Sequence, residues 1–190
     1  MKKPYVVGIA GGTCSGKSTA VERIANRFIA RSVAIINMDK YFRHPGITTV
    51  APITGIEYVE HNHPAALNLD SLYTDFNAAL DGTPDIVFIE GLFALYLPDI
   101  RNRLDLKIFV DLKSDARLVR RIRRFSERGQ GFDEITDRYI DTVRFRHDEL
   151  IEPTRWHADV IINGTLDSGI GLDIIECHLR TALEIQGDHN

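Results

Sequence analysis

Two cysteines, Cys14 and Cys177, are all that 190 residues contain. No disulfide framework can therefore hold this chain together, and a reducing, cytoplasmic compartment is expected. Long apolar runs are missing too. Nothing approaches the ~18 residues of a membrane span, and the first apolar stretch, Tyr5 to Ala10, stops at Gly11-Gly12, too short for the core of a signal peptide. A basic excess is absent: 23 Lys and Arg against 27 Asp and Glu leave a formal charge of −4, which argues against a dedicated nucleic-acid binder. Internal repeats and low-complexity tracts are absent as well. What is present is an ordinary globular composition, 44% hydrophobic and 26% charged, which excludes a disordered chain. Such a length fits about one domain and buries roughly 70% of its unfolded surface without a metal or disulfide staple. The whole chain, 1–190, is accordingly read as one domain.

Apolar runs alternate with helical patterns, the signature of an α/β fold with a parallel sheet. Strands are expected at Tyr5 to Ala10, Val33 to Asn37, Asp85 to Glu90, Leu106 to Asp111 and Ala158 to Ile162. Helices are expected from about Lys17 to Ala30, where Val21, Ile24, Ala25 and Phe28 fall at helical spacing, and from Pro64 to about Leu80. Further helices are read from Ser114 to Arg128, with Ser114 as N-cap, from Asp133 to Ile151, and from Gly171 to Ile185. Met38 to His63 has no clear periodicity, and loops that long are usually functional or mobile. Open sheets of this kind bind ligands beyond the carboxyl ends of their strands.

Gly11-Gly12-Thr13-Cys14-Ser15-Gly16-Lys17-Ser18 fits G-x-x-x-x-G-K-[ST] without a mismatch, between an expected strand and an expected helix. A random chain this long shows that pattern on the order of once in 150. Glycines let the backbone turn tightly and aim several N–H groups at one point. The helix N-terminus adds partial positive charge, so a polyphosphate sits there, and Thr19 continues the segment. Lys17 reaches the β- and γ-phosphates, and the Ser18 hydroxyl ligates Mg²⁺.

A phosphoryl-transfer site also needs carboxylates near the metal and near the attacking oxygen. Glu90 ends an apolar strand and precedes Gly91, as a metal-binding acid would; Asp39 follows the second strand. Asp111 also follows a strand, but the helix after it makes N-terminal capping its expected job. Arg117, Arg120, Arg121, Arg123, Arg124 and Arg128 crowd one helix that breaks at Gly129-Gln-Gly131. Behind a phosphate loop, this reads as a lid, about 117–135, whose arginines close on phosphates.

Several separated segments resemble the uridine kinase (uridine-cytidine kinase) family of P-loop nucleoside kinases. These are the loop GGTCSGKST, Asp39-Lys40-Tyr41-Phe42, Asn62-His63-Pro64, Phe88-Ile89-Glu90-Gly91, and the stretch from Lys107 to Ile162 that holds KIFVD, ARLVRRIRRFSERG, TVR and IEPTRWHADVII. The resemblance implies a P-loop NTPase-type three-layer fold, a five-stranded parallel sheet between helices with an Arg-rich lid. It implies Asp39 as base for the acceptor hydroxyl, and an acceptor segment about 39–80 in which Tyr41, Asn62 and His63 meet the substrate. The chain departs from the family pattern at Asn62, where an Asp is usual, at Arg138, where a Gln is frequent, and at Gln130, where an Arg is expected. Only Asp81-Gly-Thr-Pro84 separates the helix ending at Leu80 from the Glu90 strand, so the base-clamping hairpin insert expected there is missing. The short layout is also similar to the nicotinamide riboside kinases.

Together these readings describe an ATP- and Mg²⁺-dependent kinase for a primary hydroxyl of a small molecule, a nucleoside by resemblance. Asp39, Lys17 and Arg128 would carry the chemistry, Lys17 and the lid arginines Arg121, Arg124 and Arg128 offsetting charge on the transferring phosphoryl. Gly11 to Thr19 with Arg124 and Arg128 would hold the nucleotide, Ser18 and Glu90 the metal, and Asp39, Tyr41, Asn62, His63, Arg121 and Arg138 the acceptor. Neither nucleic acid nor a membrane is expected as a partner, and a homo-oligomer is left open. A nicotinamide riboside kinase is the rival enzyme; a regulatory nucleotide switch is the rival of another class. Asn62 and Arg138 each make the acceptor site less negative by one charge, so an acceptor with an anionic or acceptor-rich group near Arg138 is expected.

Overall fold

A computed structural model describes residues 3–165 and 169–188. Five parallel strands form the main sheet: β1 (Tyr5–Ala10), β2 (Val33–Asn37), β5 (Ile86–Glu90), β6 (Leu106–Asp111) and β7 (Val160–Asn163), in the order β2-β5-β1-β6-β7. Central β1 pairs Ile9 with Glu90 on one side and Ala10 with Phe109 on the other. The register therefore brings the ends of β1 and β5 to one edge.

Alternating side chains divide the core in two. Val6, Val87, Ile89 and Phe109 pack on one face with Phe76 and Leu72 of α2 (Leu69–Asp81). Val7, Ile9, Phe88, Ile108 and Val110 pack on the other with α1 (Lys17–Ala25) and α7 (Gly169–Asp188), through Val21, Ile24, Leu172, Ile175 and Leu179. Both faces of the sheet are covered, which is why its strands read as continuous apolar runs rather than alternating ones. Among the described residues, no helix is long and apolar enough to cross a membrane.

Several boundaries differ from the sequence expectation. Pro64 opens only a single 3₁₀ turn, Pro64–Ala66; Leu67 is extended and fully buried, and Asn68 starts α2 anew by accepting a hydrogen bond from the Ser71 amide at 3.3 Å. After the four-residue α3 (Pro98–Arg101), the basic helix α4 spans Ser114–Ser126. Its N-cap is Lys113 rather than Ser114, with no side-chain cap. Asp111 does not cap it: its Oδ2 lies 3.3 Å from Arg155 Nη2, an ion pair across 44 residues. Next, α5 (Phe132–Arg138) runs through a π turn into α6 (Arg144–Arg146) and a second π turn ending at Ile151.

The segment read as unpatterned holds structure. Met38–Tyr41 is a 3₁₀ turn, and β3 (Thr48–Val50) pairs antiparallel with β4 (Glu57–Val59). Three-residue strands are too short for a period of two to register in sequence. No insert interrupts the turn before β5, but a hairpin stands here instead, between β2 and α2.

Candidate active site

The phosphate loop leaves β1 with Gly11 at φ 144°. A Cβ there would lie 2.4 Å from the Val110 carbonyl oxygen, so both the dihedral and the space demand glycine. Gly16, at φ 106°, is the N-cap of α1 in the left-handed region. Cys14 also takes a positive φ, 58°, which a non-glycine residue adopts at a cost that functional loops often carry. Lys17 curls back, its Nζ donating to the Gly12 carbonyl at 2.9 Å. The Ser18 hydroxyl donates to Glu90 Oε1 at 2.9 Å. Burial pushes the Glu90 carboxyl up against the pull of Lys17 and Ser18. Burial likewise holds the Lys17 ammonium below its ordinary value, with Glu90 and Asp39 opposing.

These groups line a cavity of about 390 Å³. Thr13, Cys14, Lys17 and Ser18 come from the loop; Asp39 and Glu90 are its carboxylates; Arg121, Arg124, Phe125, Arg128 and Gln130 come from the basic segment; and Phe42, His61, Asn62 and Arg138 complete the lining. A second cavity, about 310 Å³, is lined by Cys14, Gly16 to Thr19, Arg120 and Arg124. Of the residues expected at the site, Asp39, Asn62, Arg121, Arg124, Arg128 and Arg138 meet in the larger cavity, and Thr19 borders the smaller.

Two expected acceptor residues are elsewhere. The Tyr41 hydroxyl donates to Asp75 Oδ2 at 2.7 Å, and its ring packs on the core. His63 Nδ1 accepts from the Ala65 amide at 3.1 Å and caps the turn that follows. Phe42 and His61 stand in their place, ring centroids 5.0 Å apart and edge to face. The 3₁₀ geometry of Met38–Tyr41 explains the first exchange. Positions three apart eclipse, so Tyr41 follows Met38 toward α2, where Asp75 meets its hydroxyl, while Phe42, the extended residue that ends the turn, lines the cavity. An aromatic three residues after a candidate base was the signal available in the sequence. Nothing comparable marks His61.

The six arginines of the basic segment divide by helical spacing. Arg121, Arg124 and Arg128 face the cavity. Arg117 is buried against the loop at Gly12, its Nε donating to the Leu112 carbonyl at 3.0 Å. Arg120 ties the loop to the end of β7, donating to the Gly164 carbonyl at 2.8 Å. Arg123 is exposed and lines neither cavity. Arg117, Arg120 and Arg123 thus lie outside the lining of the larger cavity.

The hairpin is fastened to the helical run that follows the basic segment. Buried Asp141 accepts hydrogen bonds from the hydroxyls of Thr54 and, at 3.3 Å, Tyr58. Buried Glu60 pairs with Arg146 Nε at 3.1 Å and accepts from the Asn62 amide at 2.6 Å. Arg138 donates to the Val59 carbonyl, and its Nη2 lies 3.1 Å from His61 Nδ1. Burial and the Arg138 charge push the His61 imidazole down, so a neutral, accepting ring fits.

The loop suits a polyphosphate: its strained glycines keep side chains out of a cradle at a helix N-terminus. Among the described residues no group of three or more His, Cys, Asp or Glu could enclose a metal ion. Mg²⁺ typically takes one or two protein groups plus phosphate oxygens and water, a donor set that Ser18 and Glu90 fit.

Residues 77–170 match the family model described as Phosphoribulokinase / Uridine kinase family. The uridine kinase of Deinococcus deserti is 31% identical over an alignment of 205 positions, covering 95% of this chain and 98% of that protein. Among solved structures, a putative fructose transport system kinase from Silicibacter sp. TM1040 superposes with a TM-score of 0.66 at 17% identity, covering 85% of this chain and 90% of that one. Phosphoribulokinase from Rhodobacter spheroides gives 0.61 at 16% identity, with 86% and 71% covered. These two share the fold.

Proposed function

The chain belongs to the phosphoribulokinase/uridine kinase family and is an ATP-dependent phosphotransferase, and from that premise we propose that it phosphorylates a primary hydroxyl of a small, nucleoside-like acceptor. The observation that carries this reading is one cavity lined by the phosphate loop, Glu90 and Asp39 together. A nucleotide switch needs the first two but has no use for a carboxylate across an acceptor-sized space.

In this reading the backbone of Gly11 to Ser18 and the Lys17 ammonium bind the phosphates of ATP. Ser18 and Glu90 hold Mg²⁺, which when bound neutralises charge on the phosphate oxygens. Asp39 orients the acceptor hydroxyl and takes its proton as the new oxygen–phosphorus bond forms and the bond to the departing ADP oxygen breaks. Lys17, Arg124 and Arg128 offset negative charge on the transferring group. The segments 117–135 and 39–80 act as lid and acceptor site of one kinase domain, working in the cytoplasm.

A screen of uridine, cytidine, nicotinamide riboside and simple sugars, read as acceptor-dependent ADP release, tests this. Release that requires an acceptor and is lost in Lys17→Ala is expected. Slow hydrolysis indifferent to every acceptor would favour the switch.

A further inference from the structure

The phosphate-transfer roles above leave two cavity cations without an assignment, Arg121 and Arg138. Arg121 is only 8% exposed. Among the described residues its single hydrogen bond is a long one, Nη1 to Thr13 Oγ1 at 3.4 Å, and its buried Nε has no partner. Its flat face rests on Phe125, 4.4 Å from the ring centroid. Arg138, on the neighbouring helix α5, spends its donors on a neutral carbonyl and a neutral imidazole. Neither guanidinium has an ion-pair carboxylate among the described residues. They also oppose one another, since the charge of Arg138 is among those that lower the Arg121 guanidinium, after burial.

A buried guanidinium without a carboxylate is costly. Of the five cations that line this space, Lys17, Arg124 and Arg128 face the phosphates of ATP in the reading above, and both carboxylates have work: Glu90 at the metal, Asp39 at the hydroxyl. Asn62 adds no charge. An anion on the ligand, accepted in the planar fork that arginine presents, would complete the site.

We propose that the acceptor itself is anionic, a hydroxyl compound of nucleoside or sugar-phosphate size whose carboxylate or phosphate lies between Arg121 and Arg138 while its hydroxyl faces Asp39. This rests on the kinase reading. The two arginines act as specificity residues, the hairpin wall holding one and the lid helix the other. Neutral nucleosides leave the pair unmatched and react poorly.

Matched acceptors that differ in charge test it: uridine against orotidine, nicotinamide riboside against nicotinate riboside, and ribulose against ribulose 5-phosphate. The first two pairs report a carboxylate, the third a phosphate. In at least one pair the anionic member is expected to exceed its neutral partner tenfold or more in kcat/KM. Arg138→Gln should remove that advantage with binding of a MgATP analogue retained. Asn62→Asp, which leaves the hairpin contacts in place, should reduce it about tenfold by restoring a negative charge. Neutral members that equal or beat their partners overturn the proposal. If no acceptor turns over, calorimetry with ribose 5-phosphate and inorganic phosphate on protein saturated with the analogue decides: binding weakened tenfold by either substitution supports the proposal, and no binding overturns it. Failure to bind the analogue at all would instead sink the kinase reading beneath it.

Discussion

The Ser18 hydroxyl donates to the Glu90 carboxylate across 2.9 Å, joining the first turn of α1 to the end of β5. The two residues are 72 apart in sequence and meet because β5 lies beside β1 in the sheet. A hydroxyl and a carboxylate already in contact form a preorganised pair of oxygen ligands. Glu90→Gln keeps the shape and removes the charge. Turnover at saturating ATP should fall about 10²-fold or more, a loss of roughly 3 kcal/mol, and the Mg²⁺ concentration for half-maximal rate should rise. A Mg²⁺ titration of both proteins reads it; an unchanged midpoint would remove Glu90 from the metal site.

Asp39 separates from the nucleotide groups in the same kind of measurement. Asp39→Asn should reduce kcat by ~10²–10⁴-fold, the usual worth of a general base, with KM for ATP close to that of the parent. Loss of ATP affinity at an undiminished kcat would reassign Asp39 to the nucleotide.

Asp141 lines neither cavity described above, yet it holds Thr54 and Tyr58 of the hairpin that leads into His61 and Asn62. Asp141→Ala should loosen that wall. The expected outcome is an acceptor KM raised about tenfold, worth roughly 1.4 kcal/mol, with KM for ATP unchanged. Equal weakening of both substrates would mean general destabilisation rather than loss of positioning.

Stability should depend on acid through His147. This imidazole is buried, and burial followed by the Arg117 charge pushes it down to about 4 from an ordinary 6.5. The unfolded chain therefore takes up a proton as pH falls through 6.5, while the folded protein does not until about 4. Unfolded protein binds more protons between those limits, so stability is present above the window and falls across it, by at most about 3 kcal/mol. Urea unfolding of the parent and His147→Gln at pH 7 and pH 4.5 should show the smaller loss in the variant. Identical losses would place the acid sensitivity elsewhere.

The five parallel strands, the phosphate loop and the carboxylate at the end of β5 were legible in the sequence, because each is written locally: a continuous apolar run, a run of glycines before Lys17-Ser18, an acid where the apolar run stops. Arg121, Arg124 and Arg128 line the larger cavity, but the fate of Arg117 and Arg120, which turn to the loop and to β7, was not legible. Orientation in irregular backbone was not legible. Whether Tyr41 or Phe42 reaches the cavity depends on a 3₁₀ turn with no periodic signature, and whether His61 or His63 does depends on a hairpin of three-residue strands. Pairings such as Asp111 with Arg155, or Asp141 with Thr54, join residues 44 and 87 apart. No local pattern encodes such contacts; they exist only once sheet order and helix packing bring the segments together. The sequence by itself thus determined the fold class and the phosphate-binding half of the site. Only the tertiary structure decided that Phe42 and His61, rather than Tyr41 and His63, join Asn62 and Arg138 in the cavity lining, since these side chains come from three separate segments whose directions are set by packing and not by spacing.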